Sequence, residues 1–466
     1  MKIALINTNR IKPPIAPIGL EYIAETLISS GHQVEILDTC WSDDTDQSIS
    51  RFFLNNRFAL VGLTLRNTDD CALTSRQSFL EEFADTANKI RNLTDAVIAV
   101  GGVGFSTMPE HIMTLCNLDV GICGDGEFTF PELADRIEAN KDWTDLPGII
   151  FPHNKKWHRH PPRFRSLDNL PTMRRNLIDN RRYFAEGGQA GVETKRGCPG
   201  KCIYCADPIA KGHEIRVRPA KAVVDEIENL LKQGIDHLHT CDSEFNLPAR
   251  HAEKVCAEII TRNIGDKLRW YAYCSPQSFS RKLAELMREA GCVGINFGVD
   301  NGDESMLKSL KRDFTPDDII NAARFCKESN ITVMFDLLLG APGETKSSIT
   351  TTIELMKKAT PDRVGVSLGV RIYPKTEMAD MVENGKIRNG LSGGTSIHDP
   401  LFFLEPEIAP VIYDLLDDLI KGDERFLFFN PDKPNQNYNY NANDLLVQAI
   451  ARGHRGAFWD ILRQIA

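Results

Sequence analysis

The chain has 466 residues, of which 42% are hydrophobic and 26% are charged, and its formal net charge at neutral pH is −9. This composition is that of ordinary globular domains and excludes collagen-like, mucin-like and wholly disordered proteins. The negative charge disfavours a duplex nucleic acid as partner, because phosphate backbones bind basic surfaces. No apolar run reaches the roughly 18 residues of a membrane helix, and the first apolar stretch is too short for a signal peptide. We therefore expect a cytoplasmic protein that binds neither nucleic acid nor membrane.

The first 150 residues alternate short apolar strands with helical patterns. Strands are predicted at Lys2–Asn7, Val34–Leu37, Ala59–Leu65, Ala96–Val100 and Val120–Cys123. Strands separated by about 10–20 residues of helical pattern indicate parallel βαβ units, and hence a doubly wound, open sheet. Such sheets bind ligands at the carboxyl ends of their strands, where this sequence has three polar or glycine-rich segments, 64–70, 101–106 and 124–127.

A basic connector containing proline and histidine follows over residues 151–189 and is predicted to be a linker with an ordered lead-in. The strand and helix alternation then returns over residues 190–375. The predicted strands are Gly191–Thr194, Ile235–Cys241, Leu268–Cys274, Val293–Val299, Val333–Leu339 and Val364–Val370. Six such units predict a partial (β/α)6 barrel. Residues 376–466 are predicted to form a small capping extension, with an Asn/Tyr run at 437–443 and a closing helix.

Three of the twelve cysteines are clustered directly after the first predicted barrel strand. Cys198, Cys202 and Cys205 have the spacing C-x3-C-x2-C, whereas the other nine are dispersed and are expected to be small buried hydrophobes. A loop at this place can bring three thiolates together at the barrel mouth, and thiolates are the preferred ligands of iron–sulfur clusters. A structural zinc would take four ligands in two close pairs, and no second pair lies nearby. A four-iron cluster on three cysteines leaves one iron open to another ligand.

This cysteine segment resembles that of the radical S-adenosylmethionine family. The resemblance implies that Cys198, Cys202 and Cys205 hold a 4Fe-4S cluster whose open iron is chelated by S-adenosylmethionine. It also implies that the reduced cluster cleaves a carbon–sulfur bond of this substrate and gives a 5′-deoxyadenosyl radical. Tyr204 takes the position of the family's aromatic residue, which packs beside the adenine.

Three further strand ends are similar to family segments that contact S-adenosylmethionine. Glu244 stands where the family has a glycine-glycine-glutamate segment that meets the amino group, although the glycines are absent here; a solvated carboxylate is the alternative. Asp300 ends the fourth barrel strand, where the family places a polar residue on the ribose. Gly340 begins a Gly-Ala-Pro-Gly-Glu-Thr turn like the family's adenine-side turn, and a plain Pro-Gly turn before a helix is the alternative.

The amino-terminal domain resembles the cobalamin-binding domains that precede some barrels of this family. The resemblance rests on a Pro-rich segment at 13–20 and on glycine turns that let backbone amides approach a nucleotide tail or corrin amides. The residues that it places at the cobalamin are Thr64, Arg66, Asn67, Gly101, Gly102, Gly124, Asp125, Gly126 and Glu127. An open sheet that binds a substrate or partner without a cofactor is the alternative.

The combination of the two resemblances, a cobalamin-binding domain followed by a radical S-adenosylmethionine barrel, predicts a cobalamin-dependent radical S-adenosylmethionine enzyme. The reaction expected first is methyl transfer to an unactivated carbon or a phosphinate of a small molecule or peptide. An electron donor such as flavodoxin or ferredoxin is expected. One alternative is a rearrangement or cyclisation without methyl transfer. Another is a methylthiotransferase with a second cluster on Cys40, Cys71, Cys116 and Cys123, and a non-catalytic cobalamin-binding protein is a third.

The loop after the first strand predicts whether the protein supplies a ligand to the lower face of the cobalt. Cobalamin domains that supply a histidine ligand carry Asp-x-His-x-x-Gly in this loop, whereas residues 7–14 contain no histidine. The nearest one, His32, lies beyond the following helix. We therefore predict that cobalamin binds with its own base displaced and with no imidazole beneath the metal.

Overall fold

The structure, a computed structural model, describes residues 1–431 and 440–465. The amino-terminal part contains strands β1 (Lys2–Asn7), β2 (Gln33–Asp38), β3 (Leu60–Thr64), β4 (Val97–Gly101), β5 (Val120–Ile122), β6 (Ile149–His153) and β7 (Lys156–Arg159). Its helices are α1 (Ile18–Ser29), α2 (Thr45–Leu54), α3 (Leu80–Arg91), α4 (Val103–Thr107), α5 (Pro109–Cys116) and α6 (Gly126–Glu138). Residues 437–439 of the Asn/Tyr run lie outside the described residues.

These strands form one sheet in the order β2-β1-β3-β4-β5-β6-β7, in which β1 to β5 are parallel. Two separate apolar clusters, one on each face, bury the sheet between the helices. Central strands buried on both faces have continuous apolar runs, as β1 does from Ile3 to Ile6. The predicted doubly wound sheet is therefore confirmed.

The first sheet continues into the segment that the sequence assigned to a connector. Residues of β6 pair antiparallel with β5, and β7 pairs antiparallel with β6 as the edge strand. All four residues of β7 are exposed, so this strand carries no alternating apolar pattern. Periodicity could not find it because an edge strand needs only its backbone partner.

The second part of the chain alternates strands and helices again. Its strands are β8 (Ala190–Val192), β9 (Lys195–Arg196), β10 (Arg216–Val217), β11 (His237–Thr240), β12 (Arg269–Cys274), β13 (Cys292–Asp300), β14 (Thr332–Leu339), β15 (Arg363–Leu368), β16 (Val370–Arg371), β17 (Leu391–Ser392), β18 (Phe402–Phe403) and β19 (Phe426–Phe428). Its helices are α7 (Asn180–Gly187), α8 (Asp207–Lys211), α9 (Ala220–Leu231), α10 (Ala249–Thr261), α11 (Arg281–Glu289), α12 (Glu304–Ser309), α13 (Pro316–Glu328), α14 (Lys346–Ala359), α15 (Glu377–Glu383), α16 (Ile412–Ile420), α17 (Asp444–Ala451) and α18 (Phe458–Ile465).

The six predicted barrel strands are present as β8 and β11 to β15, all parallel. A seventh, β19, comes from the carboxyl-terminal extension and pairs parallel with β15, giving the order β19-β15-β14-β13-β12-β11-β8. A strand of three residues is too short to show a period. We call the carboxyl ends of these strands the upper end of the barrel and their amino ends the lower end.

The carboxyl-terminal extension also closes the lower end of the barrel. Trp459, at the start of α18, is 1% exposed and packs with Tyr271, Met334 and Ala457. The Tyr271 hydroxyl donates to Asp460 Oδ2 at 2.8 Å. The barrel interior is thus plugged from below by aromatic side chains, and access lies at the upper end.

A buried ionic cluster joins the two sheets. Arg175 is completely buried; its Nε donates to Glu21 of α1 at 2.7 Å and its Nη1 donates to Glu226 of α9 at 2.8 Å. Arg218 and the Tyr22 hydroxyl also donate to Glu226. Because buried charges need partners, this cluster fixes how the first sheet sits against the barrel.

Among the described residues no helix combines the length and apolar character needed to span a bilayer.

Candidate functional site

The cysteine loop lies at the upper end of the barrel. Strands β9 and β10 pair antiparallel and close residues 197–215 into a hairpin. At its base Gly197 has φ +87°, and a Cβ there would lie 2.0 Å from the Glu214 carbonyl oxygen, so only glycine fits. The Cys198 amide donates to the Gly212 carbonyl at 3.1 Å. The loop is therefore held at both ends before any ligand binds.

The three cysteines of this loop are free thiols. A Cβ on Gly200 would lie 3.2 Å from Cys198 Sγ and 3.8 Å from Cys202 Sγ, so both sulfurs flank this glycine. Burial, with the charge of Asp207 next, raises the pKa of Cys205 to about 12. A buried thiol of this kind ionises when a metal supplies the opposing charge.

The spacing of the sulfurs favours a cluster over a single ion. Among the described residues, the groups whose ligand atoms all lie within 4.8 Å of one another do not include these three cysteines. One tetrahedral ion needs ligands at such short mutual distances, whereas the iron atoms of a cluster are spread over a larger volume. The donor set of Cys198, Cys202 and Cys205 fits a 4Fe-4S cluster.

Arg312 connects the cysteine loop to the other predicted residues. Its Nη1 donates to Cys202 Sγ at 3.0 Å, its Nε lies 3.2 Å from Asp300 Oδ2, and its Nη2 lies 3.8 Å from Glu244 Oε1. The Tyr204 hydroxyl donates to the same Asp300 carboxylate. Residues that the sequence placed at four different positions are thus brought together by one guanidinium. Sequence reasoning missed Arg312 because a Lys-Arg-Asp run after a helix is typical of a solvated surface.

Glu244 is not a solvated carboxylate, since its side chain is 17% exposed. Burial raises its pKa to about 7, although Arg312 and Lys195 act in the opposite direction. A carboxylate held in this state gains from a cationic ligand nearby. The geometry is compatible with a contact to the amino group of S-adenosylmethionine, which stays a prediction.

The turn at Gly340 has a structural cause of its own. Gly340 has φ +94°, and a Cβ there would lie 2.2 Å from Leu404 Cδ1. Its amide donates at 3.2 Å to Glu344 Oε2, and the buried Glu344 carboxylate also accepts from Asn301 Nδ2 at 3.0 Å. Packing and hydrogen bonding account for this glycine, and its contact with S-adenosylmethionine stays a prediction.

The polar loops of the first sheet face the upper end of the barrel. Thr64 ends β3, and its carbonyl accepts from Thr8 Oγ1 in the loop after β1 at 2.7 Å. Asn67 is exposed. Arg66 is also exposed, yet protein surrounds it closely enough that burial lowers the pKa of its guanidinium. Tyr440 and Tyr273, on the barrel side, are among the groups whose charges act on it.

This arrangement contains donors that suit a cobalamin. Among the described residues, no carboxylate pairs with Arg66 within 4 Å, and the buried Asn9 Nδ2 has no hydrogen-bond partner. A corrin ring carries amide carbonyls and its nucleotide tail carries a phosphate, which are complementary to these donors. The residues between the two sheets therefore fit the group.

The glycines of the first sheet are explained first by how the loops pack. Gly102 has φ +112°, and a Cβ there would lie 2.4 Å from the Leu65 carbonyl oxygen. A Cβ on Gly101 would lie 3.5 Å from the Ile122 carbonyl oxygen, an ordinary contact, so packing does not require a glycine there. The Gly124 amide donates to Ser106 Oγ at 3.1 Å. These contacts place the loops after β3, β4 and β5 side by side, and a direct contact of the three glycines with cobalamin stays a prediction.

Asp125, Gly126 and Glu127 have partners within the protein. Arg196 Nη1 donates to Asp125 Oδ1 at 3.1 Å and to Glu127 Oε2 at 2.9 Å, and all three side chains are buried. A Cβ on Gly126 would lie 2.7 Å from Ile23 Cδ1, so this glycine serves helix packing. The two carboxylates are engaged with an arginine two residues before Cys198. These contacts fasten the first sheet to the cysteine loop, and a contact of residues 125–127 with cobalamin stays a prediction.

The four cysteines considered for a second cluster are in separate surroundings. Cys40 lies beside Lys12, Cys71 beside Tyr373, and Cys116 and Cys123 are buried in the core of the first sheet. Burial raises the pKa of Cys116 to about 12 and that of Cys123 to about 11. This part of the chain offers no cluster site like the one at Cys198.

Polar side chains line the barrel interior halfway up. They are His239 on β11, Tyr273 on β12, Asn296 on β13 and Asp336 on β14. The His239 and Tyr273 rings have centroids 4.7 Å apart, and Asn296 Nδ2 donates to Asp336 Oδ2 at 2.6 Å. Sequence reasoning did not select them, although Asn296 and Asp336 interrupt otherwise apolar strands, a signal that could have found them.

Comparison with known proteins identifies both parts of the chain. The B12-binding domain family matches residues 5–134, and the radical SAM superfamily matches residues 192–368. The tryptophan 2-C-methyltransferase of Streptomyces laurentii is 31% identical over 504 aligned residues, covering 93% of this chain and 84% of that protein.

Solved structures of similar proteins superpose on nearly the whole length of this chain. The radical S-adenosylmethionine methyltransferase TsrM of Kitasatospora setae, with tryptophan and aza-SAM bound, is 29% identical, with a TM-score of 0.93 over 99% of this chain and 97% of that one. The same protein with cobalamin and a [4Fe-4S] cluster bound has a TM-score of 0.89. The match extends through the carboxyl-terminal extension as well as the two family domains. The chain belongs to the cobalamin-dependent radical S-adenosylmethionine methyltransferases, whose cofactors are a 4Fe-4S cluster, S-adenosylmethionine and cobalamin.

Proposed function

We propose that this methyltransferase acts on a carbon atom of tryptophan or of a closely related indole. The observation that carries the proposal is the similarity to TsrM, whose structure holds tryptophan, across 97% of that chain. The relative from Streptomyces laurentii is named for methylation of carbon 2 of the same amino acid. A match that includes the extension plugging the barrel supports a similar pocket as well as a similar fold.

We assign the cofactors to two sets of residues. Cys198, Cys202 and Cys205 would hold the cluster, and Tyr204, Glu244, Asp300 and Gly340 would surround S-adenosylmethionine. The residues that would face cobalamin are Thr64, Arg66, Asn67, Gly101, Gly102, Gly124, Asp125, Gly126 and Glu127. When bound, S-adenosylmethionine supplies the methyl group, cobalamin carries it to carbon and the cluster supplies an electron. We further propose that an external protein such as flavodoxin or ferredoxin delivers electrons to the cluster.

The polar side chains that line the barrel interior, those of His239, Tyr273, Asn296 and Asp336, would bind the substrate. Burial lowers the pKa of His239 to about 4, so this imidazole is neutral at pH 7. Its Nδ1 lies 2.7 Å from the Thr240 carbonyl and therefore carries the proton, which leaves Nε2 as an acceptor. Asn296 Oδ1 is a second buried acceptor that has no hydrogen-bond partner in the described part of the chain. Neutral acceptors beside aromatic rings suit an indole, whose N–H is a donor on an apolar body.

The assay that tests the proposal is anaerobic incubation of reconstituted protein with S-adenosylmethionine and tryptophan. We expect a tryptophan derivative with one additional methyl group on carbon, located by nuclear magnetic resonance, and one S-adenosylhomocysteine for each product. A rearrangement or cyclisation would give a product without the added methyl group. Iron analysis should give about four irons per chain, whereas about eight would favour the methylthiotransferase alternative.

Replacing Asn296 by alanine should weaken tryptophan binding about 10-fold, because a buried acceptor for the indole N–H is lost. Equilibrium dialysis of tryptophan measures this effect without turnover. The matched control is Asn321→Ala on α13, a half-buried amide that accepts from Arg324 and should leave the dissociation constant unchanged when removed. Equal affinities in the wild type and Asn296→Ala would remove Asn296 from the substrate site.

Replacing Glu244 by glutamine should weaken S-adenosylmethionine binding by roughly 10- to 150-fold, the value of a charge-assisted hydrogen bond. A second readout is stability. With its pKa raised to about 7, Glu244 holds its proton in the folded chain at pH values where the unfolded chain has already released it. The contribution of Glu244 to the free energy of unfolding is therefore lost as the pH rises from the unfolded pKa through about 7. Urea unfolding of the cluster-free variant should lack this pH dependence. A variant that binds S-adenosylmethionine like the wild type would contradict the assignment.

The cob(II) form should show no nitrogen splitting in its electron paramagnetic resonance spectrum. His32 lies at the amino ends of the strands, where its Nδ1 is 3.3 Å from the Met1 nitrogen and its Nε2 is 3.2 Å from Asp135 Oδ1. This is the opposite edge of the sheet from the loops that would face cobalt. A three-line nitrogen pattern on the cobalt features would contradict the prediction, because it requires a nitrogen of cobalamin's own base or of an imidazole beneath the metal.

A further inference from the structure

The lower end of the barrel carries a basic cleft that the methyl-transfer site does not use. The cleft, of about 620 Å³, lies between the amino ends of β11 to β14 and the segment 452–464, and we call it the lower cleft. Its lining contains five arginines: Arg269, Arg288, Arg452, Arg455 and Arg463. His237 and His454 also line it. On a chain with a net charge of −9, this is a strong local reversal of sign.

Little negative charge balances these arginines. Asp460 is the acidic residue of the lining, and it already accepts from Arg463 Nε at 2.7 Å and from the Tyr271 hydroxyl at 2.8 Å. No carboxylate of the described residues lies within 4 Å of the other four guanidinium groups. Of these, Arg288 and Arg455 donate to backbone carbonyls.

A sixth arginine adds to the field from behind the cleft. Arg363 is 6% exposed, and its Nε has no hydrogen-bond partner in the described part of the chain. Burial and then repulsion from Arg463 lower the pKa of Arg363. Several cations held close together with few counter-charges repel one another, and an anion that enters between them relieves the repulsion.

The arginines come from two elements that an anion could connect. Arg269 and Arg288 belong to the barrel, whereas Arg452, Arg455 and Arg463 belong to the carboxyl-terminal segment that carries Trp459. A guanidinium binds phosphate or carboxylate oxygens through two parallel hydrogen bonds, so arginines on opposite walls can hold one ligand with several oxygens.

We propose that the lower cleft binds a multivalent oxyanion, a phosphate ester or a polycarboxylate, and that the bound anion fastens segment 452–464 to the lower end of the barrel. The cleft is separated from the cysteine loop by the length of the barrel strands, and the plug of Tyr271, Met334 and Trp459 lies between them. The proposal therefore stands independently of the substrate proposed above.

The test uses the full chain and two probes, inorganic pyrophosphate and citrate, at matched ionic strength against sodium chloride. Isothermal titration calorimetry should show one site for at least one probe. Pyrophosphate binding with weak citrate binding would identify a phosphate ester as the ligand class, and the reverse would identify a polycarboxylate. Hydrogen exchange of amides 452–464 should slow when the probe is bound.

The decisive variant removes one arginine from each wall, Arg269→Ala with Arg452→Ala. Both side chains are exposed, so the fold should persist. Losing two charge-assisted contacts should weaken probe binding roughly 100-fold or more. The matched control is Arg57→Ala with Arg324→Ala, two exposed arginines away from the cleft, which should bind like the wild type. Absence of binding by both probes, or equal binding by the wild type and the cleft variant, would overturn the proposal.

Discussion

Replacing Cys202 by alanine is expected to abolish methyl transfer and to lower the iron content of reconstituted protein well below four per chain. Its sulfur is one of three in the loop that fits the cluster, and Arg312 donates to it at 3.0 Å. The substitution removes a thiolate ligand of one iron. It also removes the sulfur that accepts a hydrogen bond from the Arg312 guanidinium. Iron analysis and the visible absorption of the reconstituted protein measure the effect directly. The same result is expected for Cys198→Ala and Cys205→Ala.

The control for this prediction is a cysteine that the barrel core buries. Cys256 on α10 is 0% exposed and packs within the apolar core of the barrel. Cys256→Ala should keep a full iron content and lose only about 1–2 kcal/mol of stability, the usual cost of a small cavity. Wild-type iron content and turnover in Cys202→Ala would place the cluster elsewhere.

Replacing Arg175 by methionine should lower the free energy of unfolding by about 3–5 kcal/mol. The substitution keeps an unbranched side chain but leaves the Glu21 and Glu226 carboxylates buried without this partner. Because Glu21 belongs to the first sheet and Glu226 to the barrel, the loss should also loosen the contact between them. Urea unfolding measures the free energy, and limited proteolysis between residues 160 and 180 reports on the contact.

An exposed ion pair provides the comparison. Lys282 Nζ lies 2.9 Å from Glu253 Oε1, with the lysine side chain 73% exposed. Lys282→Ala should change the free energy of unfolding by less than about 1 kcal/mol, because water solvates both charges when the pair is broken. A similarly small change in Arg175→Met would show that the buried cluster adds specificity to the interface without adding stability.

Much of the site could be found from local sequence. The three cysteines lie within eight residues of chain, so their spacing alone fixes which side chains can meet. Tyr204 lies within the cysteine motif, Glu244 comes shortly after β11 and Asp300 ends β13, and parallel strands bring their carboxyl ends to one edge. The structure places all three around Arg312, which nothing in the local sequence distinguishes from a surface arginine.

Residues whose partners lie far along the chain could not be assigned in this way. Asp125 and Glu127 stand in a glycine-rich loop after a strand, and the local sequence does not show that they pair with Arg196, about seventy positions later. Asn296 and Asp336 interrupt apolar strands and could have been noticed singly, but their contact depends on the register of β13 and β14, which makes them diagonal neighbours.

The sequence by itself determined the two α/β architectures, the cluster motif and the family resemblance, because each depends on periodicity or spacing within a few dozen residues. The tertiary structure alone decided that β19 completes the barrel sheet, that Trp459 plugs its lower end and that Arg175 and Arg196 join the two parts. Those features depend on contacts between residues tens to hundreds of positions apart. Such contacts follow from how the elements pack, and packing leaves no periodic trace in either of the two segments that meet.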